Sequence, residues 1–397
     1  MEGVIQNLDQ LEIEGRRIFI RVDFNVPLIN GEVSDIERIE ATVPTIKQAI
    51  NRNAHVILAS HLGRPDGYVD PAYSLRPVAR VLSNLIRKPV RMTKGVVDDS
   101  VLDQVRRLGP GEILLLENLR FHPGETANDP AFAAQLRELT EVYVNDAFGV
   151  SHRAHASVHA LPAMMREVGC GLLVQKELLY LEEKIADPVQ PFVCIFGGAK
   201  VDDKIGAVRN MLPHANHIII GGGMSYTFLA ALGYDVGKSI FAEDKLQEAR
   251  DILEDAQAAG VQVHLPIDHV VTKKFAENSK PVVTEGPDIE ADMMGLDIGP
   301  KTVAHFSEVI AAGRTILWNG PMGVFEWDAF AQGSLAIARA VGASRETTIV
   351  GGGDSIALIH KAGVAKSITH VSTGGGAMLS FISGEPMPGI DVLKREL

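Results

Sequence analysis

Cysteine is nearly absent from this chain: Cys170 and Cys194 are the only two in 397 residues. Two thiols make no disulfide framework and fit a reducing compartment. Long apolar runs are missing as well, so no segment reads as a bilayer-spanning helix. The N-terminus, MEGVIQNLDQLEIEG, is acidic and lacks the apolar core of a signal peptide. The expectation is a soluble cytoplasmic protein with no membrane partner. Positive charge is also in deficit, with 38 Lys and Arg against 50 Asp and Glu, a net of −12. That argues against a nucleic-acid partner, which calls for a basic face, but leaves room for a local basic pocket.

Two phosphate-binding signatures are missing too. GYDVGKS, residues 233–239, resembles G-x-x-x-x-G-K-[ST] but is one residue short between its glycines. It also follows the helical FLAALG rather than a strand, so it reads as a helix end and loop. No G-x-G-x-x-G follows a strand, which removes the main support for an NAD-dependent dehydrogenase.

What is present is an ordinary globular composition, 46% hydrophobic and 22% charged, in a chain too long for one usual core. Two domains are expected. Strand-like segments at 17–22, 54–60, 112–117 and 141–145 alternate with helix-like segments at 35–51, 74–87 and 129–139. The first helix should begin near Ser34 or Asp35, and Ser74 is a candidate cap for the second. Alternation of this kind predicts a parallel sheet covered by helices on both faces. Ligands of such sheets bind outside the carboxyl ends of the strands.

Those ends carry arginine. RVDFN holds Arg21, Asp23 and Asn25; SHLGR holds His61 and Arg64; LLLENLRF places Arg120 past a third strand. VNDAFGVSHRAHAS supplies Arg153 with His152 and His155, and Arg38 stands early in the first helix. Guanidinium groups present planar donor forks to carboxylate and phosphate oxygens. Their recurrence at one structural position points to a small ligand with more than one negative group. His152 and His155 read as packing around Arg153.

The segment 172–186, LLVQKELLYLEEKIA, is strongly helical and is followed by Pro188 and Pro191; it reads as a connector. After it the strand ends carry glycine. FGGAKVDDK at 196–204 follows the apolar PFVCI. Its glycines allow a tight turn, and a helix from Ala199 would put Lys200 and Lys204 one turn apart beside free N–H groups. IIIGGGMS, TIVGGGDS and VSTGGGA repeat the strand–glycine–helix junction. Asp354 suits either a helix cap or a hard-oxygen Mg²⁺ ligand. Glu326, after WNGP, could accept from ribose hydroxyls, while Asp202 and Asp203 read as solvated.

Taken together, RVDFNVP, HLGRP, LLENLRFHPGE, YVNDAFG, HRAHAS, FGGAKVDDKI, GGGM, WNGPMGVFE, GGGDS and STGGGA resemble the phosphoglycerate kinase family, in that family's order and nearly end to end. The resemblance implies an α/β fold of two Rossmann-like lobes, each a parallel sheet with helices on both faces. Residues 1–171 would bind phosphoglycerate, with 383–397 folding back onto them; 172–187 would be the connector helix and 188–382 the nucleotide lobe. The implied reaction is reversible transfer of the acyl phosphate of 1,3-bisphosphoglycerate to MgADP, giving 3-phosphoglycerate and MgATP, in line and after hinge closure. The enzyme would be a monomer.

Carried over by motif, Arg21, Asp23, Asn25, Arg38, His61, Arg64, Arg120 and Arg153 look like the phosphoglycerate contacts. Arg38, Lys200, Gly374 and Gly375 look like the catalytic set around the moving phosphoryl group. Gly197, Gly198, Lys204, Gly221, Gly295, Asn319, Glu326, Gly352, Gly353, Asp354 and Ser355 look like nucleotide contacts, with Asp354 on the magnesium. Three departures stand out: Asp202 for an expected serine, Ser225-Tyr226 for Ala-Asn, and Met378 and Ser380 for serine and glutamate. The last bears on packing of the C-terminal helix. A solute-binding protein without catalysis is the rival from another class; it would have no use for the lysine pair and the metal-binding carboxylate.

Overall fold

The computed structural model describes residues 3–202 and 204–395. The chain divides into two compact units, Met1–Leu178 with Pro386–Leu397, and Leu179–Glu385. Each is built on a six-stranded sheet, and both sheets are parallel throughout.

In the first unit the strand order is Val90–Met92, Ile113–Leu115, His55–Ala59, Arg17–Val22, Val142–Asp146, Val168–Cys170. The central strands are buried along nearly their whole length, as both-sided helix cover demands. Helix Glu37–Asn51 buries Ile39, Ile46, Ala49 and Ile50, and Arg76–Ile86 buries Val78, Ala79, Leu82 and Ile86. The first helix starts later than Asp35 because the Asp35 carboxylate accepts the N–H of Glu37 at 2.9 Å, making a turn ahead of the helix. Ser74 also stands outside its helix: its hydroxyl accepts from Arg76 N–H at 3.3 Å and donates to Glu117 at 2.8 Å.

At the end of Val142–Asp146, buried Asp146 accepts from the N–H groups of Leu173 (2.9 Å) and Val174 (3.3 Å), anchoring helix Leu172–Leu178. The chain's last segment packs on this unit through Gly389, whose N–H donates to Ser151 O at 2.9 Å and whose carbonyl accepts from Asn145 at 2.8 Å. Val4 and Arg395 pair their backbones.

The second unit opens with the helical stretches Leu179–Glu183 and Lys184–Ala186. Its sheet runs Gln262–His264, His217–Ile220, Phe192–Phe196, Thr315–Asn319, Thr347–Gly351, His370–Val371. Trp318, Phe306, Ile316, Ile337 and Leu358 belong to its core. Absent from the sequence reading is a small antiparallel sheet, Val282–Val283, His269–Thr272 and Met294–Ile298. GYDVGKS is a helix end and loop: helix Ser225–Ala231 stops there and Gly233 takes φ +91°.

Candidate functional site

In the first unit, the residues past the strand ends converge. Arg21 is fully buried, and each nitrogen of its guanidinium is engaged: Nε on Ser157 Oγ at 2.9 Å, one terminal nitrogen on Val22 O, the other against His61 Nδ1 at 3.2 Å. Arg21, expected as a ligand contact, has its guanidinium engaged by these protein partners and holds His61. Ser157 is itself fixed by buried Glu125, which accepts its N–H (2.9 Å) and hydroxyl (2.6 Å). Asp23 receives Arg38 at 2.9 Å and the N–H of Asn25 at 3.2 Å. Asn25 accepts from Gly63 N–H at 2.9 Å, while Arg120 donates to Gly63 O at 2.7 Å.

Electrostatics confirms the convergence. Burial first, then Arg21, Arg120, His155 and Arg38, hold His61 well below the usual imidazole range, so it is neutral. Burial, then Arg21 and Arg153, push Arg120 down to about 10, with Arg64 adding to the effect. Burial, then Arg21, Arg120, Arg153 and His152, take His155 down to about 4. Arg153 donates to His152 at 3.1 Å, and His155 is buried beside it, so both histidines pack the loop as expected. Arg120 Nε is buried with no partner among the described residues. Five guanidinium groups thus crowd one rim, and the contacts name two carboxylates against them, Asp23 and Glu125. Arrangements with unbalanced like charge are stable when an anion completes them.

Asn118 and Glu125 were missed from sequence. Asn118 is buried, donates to Leu62 O (2.7 Å) and Tyr73 O (2.9 Å), and accepts from the N–H groups of Leu62 and Arg120. It therefore sets the loop on which His61 and Arg64 ride. The one signal in the sequence was their place on either side of LRFHPG.

In the second unit the glycine junctions gather at the carboxyl end of the sheet, and the first differs from expectation. The helix begins at Ile205, not Ala199, so Lys200 and Lys204 do not share a helical face. Gly198, at φ +110°, gives its N–H to Pro321 O (2.8 Å) and its carbonyl to Met224 N–H (3.0 Å). Those bonds tie the loop to two neighbouring strand ends, so helical bonding starts only with Ile205 N–H on Val201 O at 2.9 Å. Lys204 folds back onto the carbonyls of Gly197 and Asn319, while Lys200 and Asp202 are exposed. Asp203 lies outside the described residues.

A cavity of about 440 Å³ opens beside these turns. Gly198, Gly295, Glu326 and Asp354 line it, as do Lys238 and Ser239 from the rejected GYDVGKS. Gly221 does not; it lies beneath, where a Cβ would strike Met322, and Gly222 and Gly223 face the space instead. Gly197 is likewise closed off, by Pro321 and Met322. Ser355 is buried and its hydroxyl accepts Gly320 N–H at 2.6 Å, so it braces the turn after Asn319 rather than facing the cavity. Asn319 packs on Gly352, itself at φ +91°.

Helix Gly353–Lys361 is preceded by Gly352 as its cap, which puts Asp354 in the first turn. Its exposed carboxylate makes no hydrogen bond among the described residues. One free carboxylate beside a cavity fits Mg²⁺, which is held by few protein oxygens and completed by phosphates. No cluster of three or more His, Cys, Asp or Glu able to hold a metal occurs among the described residues. Gly374 donates to Ser372 Oγ at 3.1 Å, and Gly375, at φ +51°, precedes the short helix Gly376–Ile382. Met378 of that helix packs on Gly351.

Comparison with known proteins gives one answer. The family model described as phosphoglycerate kinase matches residues 8–385. A phosphoglycerate kinase of Koribacter versatilis is 51% identical over 98% of this chain and 99% of its own, and one of Clostridium novyi 45% over 98% of each. Among solved structures, phosphoglycerate kinase from Coxiella burnetii superposes with TM-score 0.89 at 38% identity, covering 98% of this chain and 99% of that one. The Pyrococcus horikoshii enzyme gives 0.83 at 30% identity, covering 98% of each.

Proposed function

The chain belongs to the phosphoglycerate kinase family, and within that family's reversible glycolytic phosphotransfer between 1,3-bisphosphoglycerate and ADP we propose a division of labour between its two units. The first unit binds phosphoglycerate, with Pro386–Leu397 rather than the expected 383–397 as part of it. The second, Leu179–Glu385, binds the nucleotide, and the expected connector at 172–187 is divided between the two units. The observation that carries this reading is the rim of Arg21, Arg38, Arg64, Arg120 and Arg153 in the first unit, where neutral His61 adds no further charge. A carboxylate–phosphate ligand supplies the missing anions.

In either direction the attacking group is already an anion, a carboxylate or an ADP phosphate oxygen. No general base is required; positioning and charge neutralisation do the work. Arg38, held by Asp23, and Lys200 flank the phosphoryl group in line. The N–H group at Gly375 receives charge as it moves, with Gly374 held beside it on Ser372. Asp354 would hold Mg²⁺, which would supply neutralising charge to the nucleotide phosphates. Gly198, Lys204, Gly295, Glu326, Gly352 and Gly353 shape the nucleotide site, with Asn319 and Ser355 bracing it. Since donor and acceptor are carried by different units, turnover includes hinge closure. The enzyme works as a cytoplasmic monomer.

A coupled assay for ATP formation from 1,3-bisphosphoglycerate and ADP tests the reading when run with and without magnesium. Strong magnesium dependence, weakened by Asp354→Asn, is expected. Undiminished turnover in chelator would remove Asp354 from its role.

A further inference from the structure

His61 has one ring nitrogen committed and the other open. Its Nδ1 lies 3.2 Å from a terminal nitrogen of Arg21. The Asp23 carboxylate, 3.9 Å from the same atom, is beyond hydrogen-bond reach and is taken up with Arg38 and Asn25. Nε2 makes no hydrogen bond among the described residues. The residue is buried, and the backbone after it is fixed, with Leu62 N–H on Asn118 at 3.2 Å and Gly63 N–H on Asn25 at 2.9 Å.

A guanidinium group only donates. Facing Arg21, Nδ1 is therefore the acceptor, the ring nitrogen without hydrogen. Burial, then Arg21, Arg120, His155 and Arg38, keep the ring neutral. A neutral imidazole carries one N–H, and with Nδ1 bare that hydrogen sits on Nε2.

Arg21 keeps this aim only while its own plane is held. Its Nε donates to Ser157 Oγ at 2.9 Å, and its other terminal nitrogen is on Val22 O. The Ser157 hydroxyl can accept there because its proton goes to Glu125 at 2.6 Å, and the second Glu125 oxygen accepts Ser157 N–H at 2.9 Å. Glu125, Ser157 and Arg21 are all fully buried, where a low dielectric strengthens such bonds.

We propose that Glu125, acting through Ser157 and Arg21, is a positioning residue that fixes the His61 proton on Nε2, so that this ring offers phosphoglycerate a donor and never a lone pair. The inference rests on the arginine rim being the phosphoglycerate site. A carboxylate or phosphate oxygen is met by Nε2–H and repelled by a bare nitrogen. A ring free to exchange tautomers would spend part of its time in the repelling form.

Imidazole nitrogen NMR reads the tautomer directly, because protonated and bare ring nitrogens differ widely in chemical shift. At neutral pH, Nδ1 of His61 should appear bare and Nε2 protonated, and 3-phosphoglycerate should move the Nε2 signal while ADP leaves it in place. Glu125→Gln keeps the shape but gives up the charge. It should turn His61 towards a mixture of tautomers and raise the KM for 3-phosphoglycerate by about 3- to 10-fold, the loss of one hydrogen bond, with kcat changed much less. A proton on Nδ1 in the native chain overturns the proposal, and that result needs no variant to fold. Native shifts and native KM in Glu125→Gln overturn it as well. If the native tautomer is found but 3-phosphoglycerate leaves His61 unmoved, the anion binds elsewhere, and the proposed role towards the ligand falls with the site reading while the tautomer stands.

Discussion

At the scale of single residues, chemistry was more legible than geometry. The arginines and His61 announced an anion site by type and position, and the structure brings them together. What sequence could not give was which nitrogens are already engaged. Arg21 turned out to be held on three sides by Ser157, Val22 and His61, partners scattered over more than a hundred residues. Lys200 is different, exposed and open to a ligand. Lys200→Ala should lower turnover about a hundredfold with the fold intact, the usual loss for one preorganised charge donor. Near-normal turnover in the purified variant would exclude it from the transfer step.

Asp146 gives a prediction in pH. Burial raises its carboxyl from 3.8 to about 7, against a Thr45 side-chain hydrogen bond and two backbone N–H bonds that lower it. Between those values the folded chain holds a proton that the unfolded chain has released. Stability from this residue is therefore complete below about pH 4 and declines as pH rises to about 7. Asp146→Asn cannot ionise, so in urea titrations it should gain on the native chain steadily between those values and hold its advantage above them. A constant difference from pH 4 to pH 8 would contradict the assignment.

Elements were readable where they were long and apolar. Arg17–Val22 has the bounds expected of it, because the apolar Ile18-Phe19-Ile20 at its centre marks a strand buried on both faces. Val90–Met92 and Val168–Cys170, three residues each, carry too little pattern to register. So does the antiparallel triplet around His269–Thr272, two of whose strands are interrupted by polar residues or cut to a pair. The helix after Gly198 was placed six residues early because local spacing competed with tertiary bonds from Gly198 to Pro321 and Met224, and the tertiary bonds won. The loops at the arginine rim depend on Asn118 in the same way. Asn118→Ala would strand four backbone groups, three buried and one half-buried. It should cost about 3 kcal/mol in chemical denaturation and weaken 3-phosphoglycerate binding with it. A loss below about 0.5 kcal/mol, within the range of an ordinary surface change, would show that these loops hold without it.

On the scale of the whole molecule, the alternation of strand and helix foretold a parallel sheet in the first unit, the family resemblance implied its counterpart in the second, and the change from arginine to glycine at strand ends pointed to different chemistry in each. Each unit has its own core, so each can be asked separately what it binds. Amide hydrogen exchange does so directly, since a ligand suppresses local opening where it sits. Added 3-phosphoglycerate should protect the first unit near residues 21–25, 61–64, 118–122 and 152–157. ADP with magnesium should protect the second near 222–226, 294–296, 323–326 and 352–355. Protection by both ligands confined to one unit would contradict the division of labour.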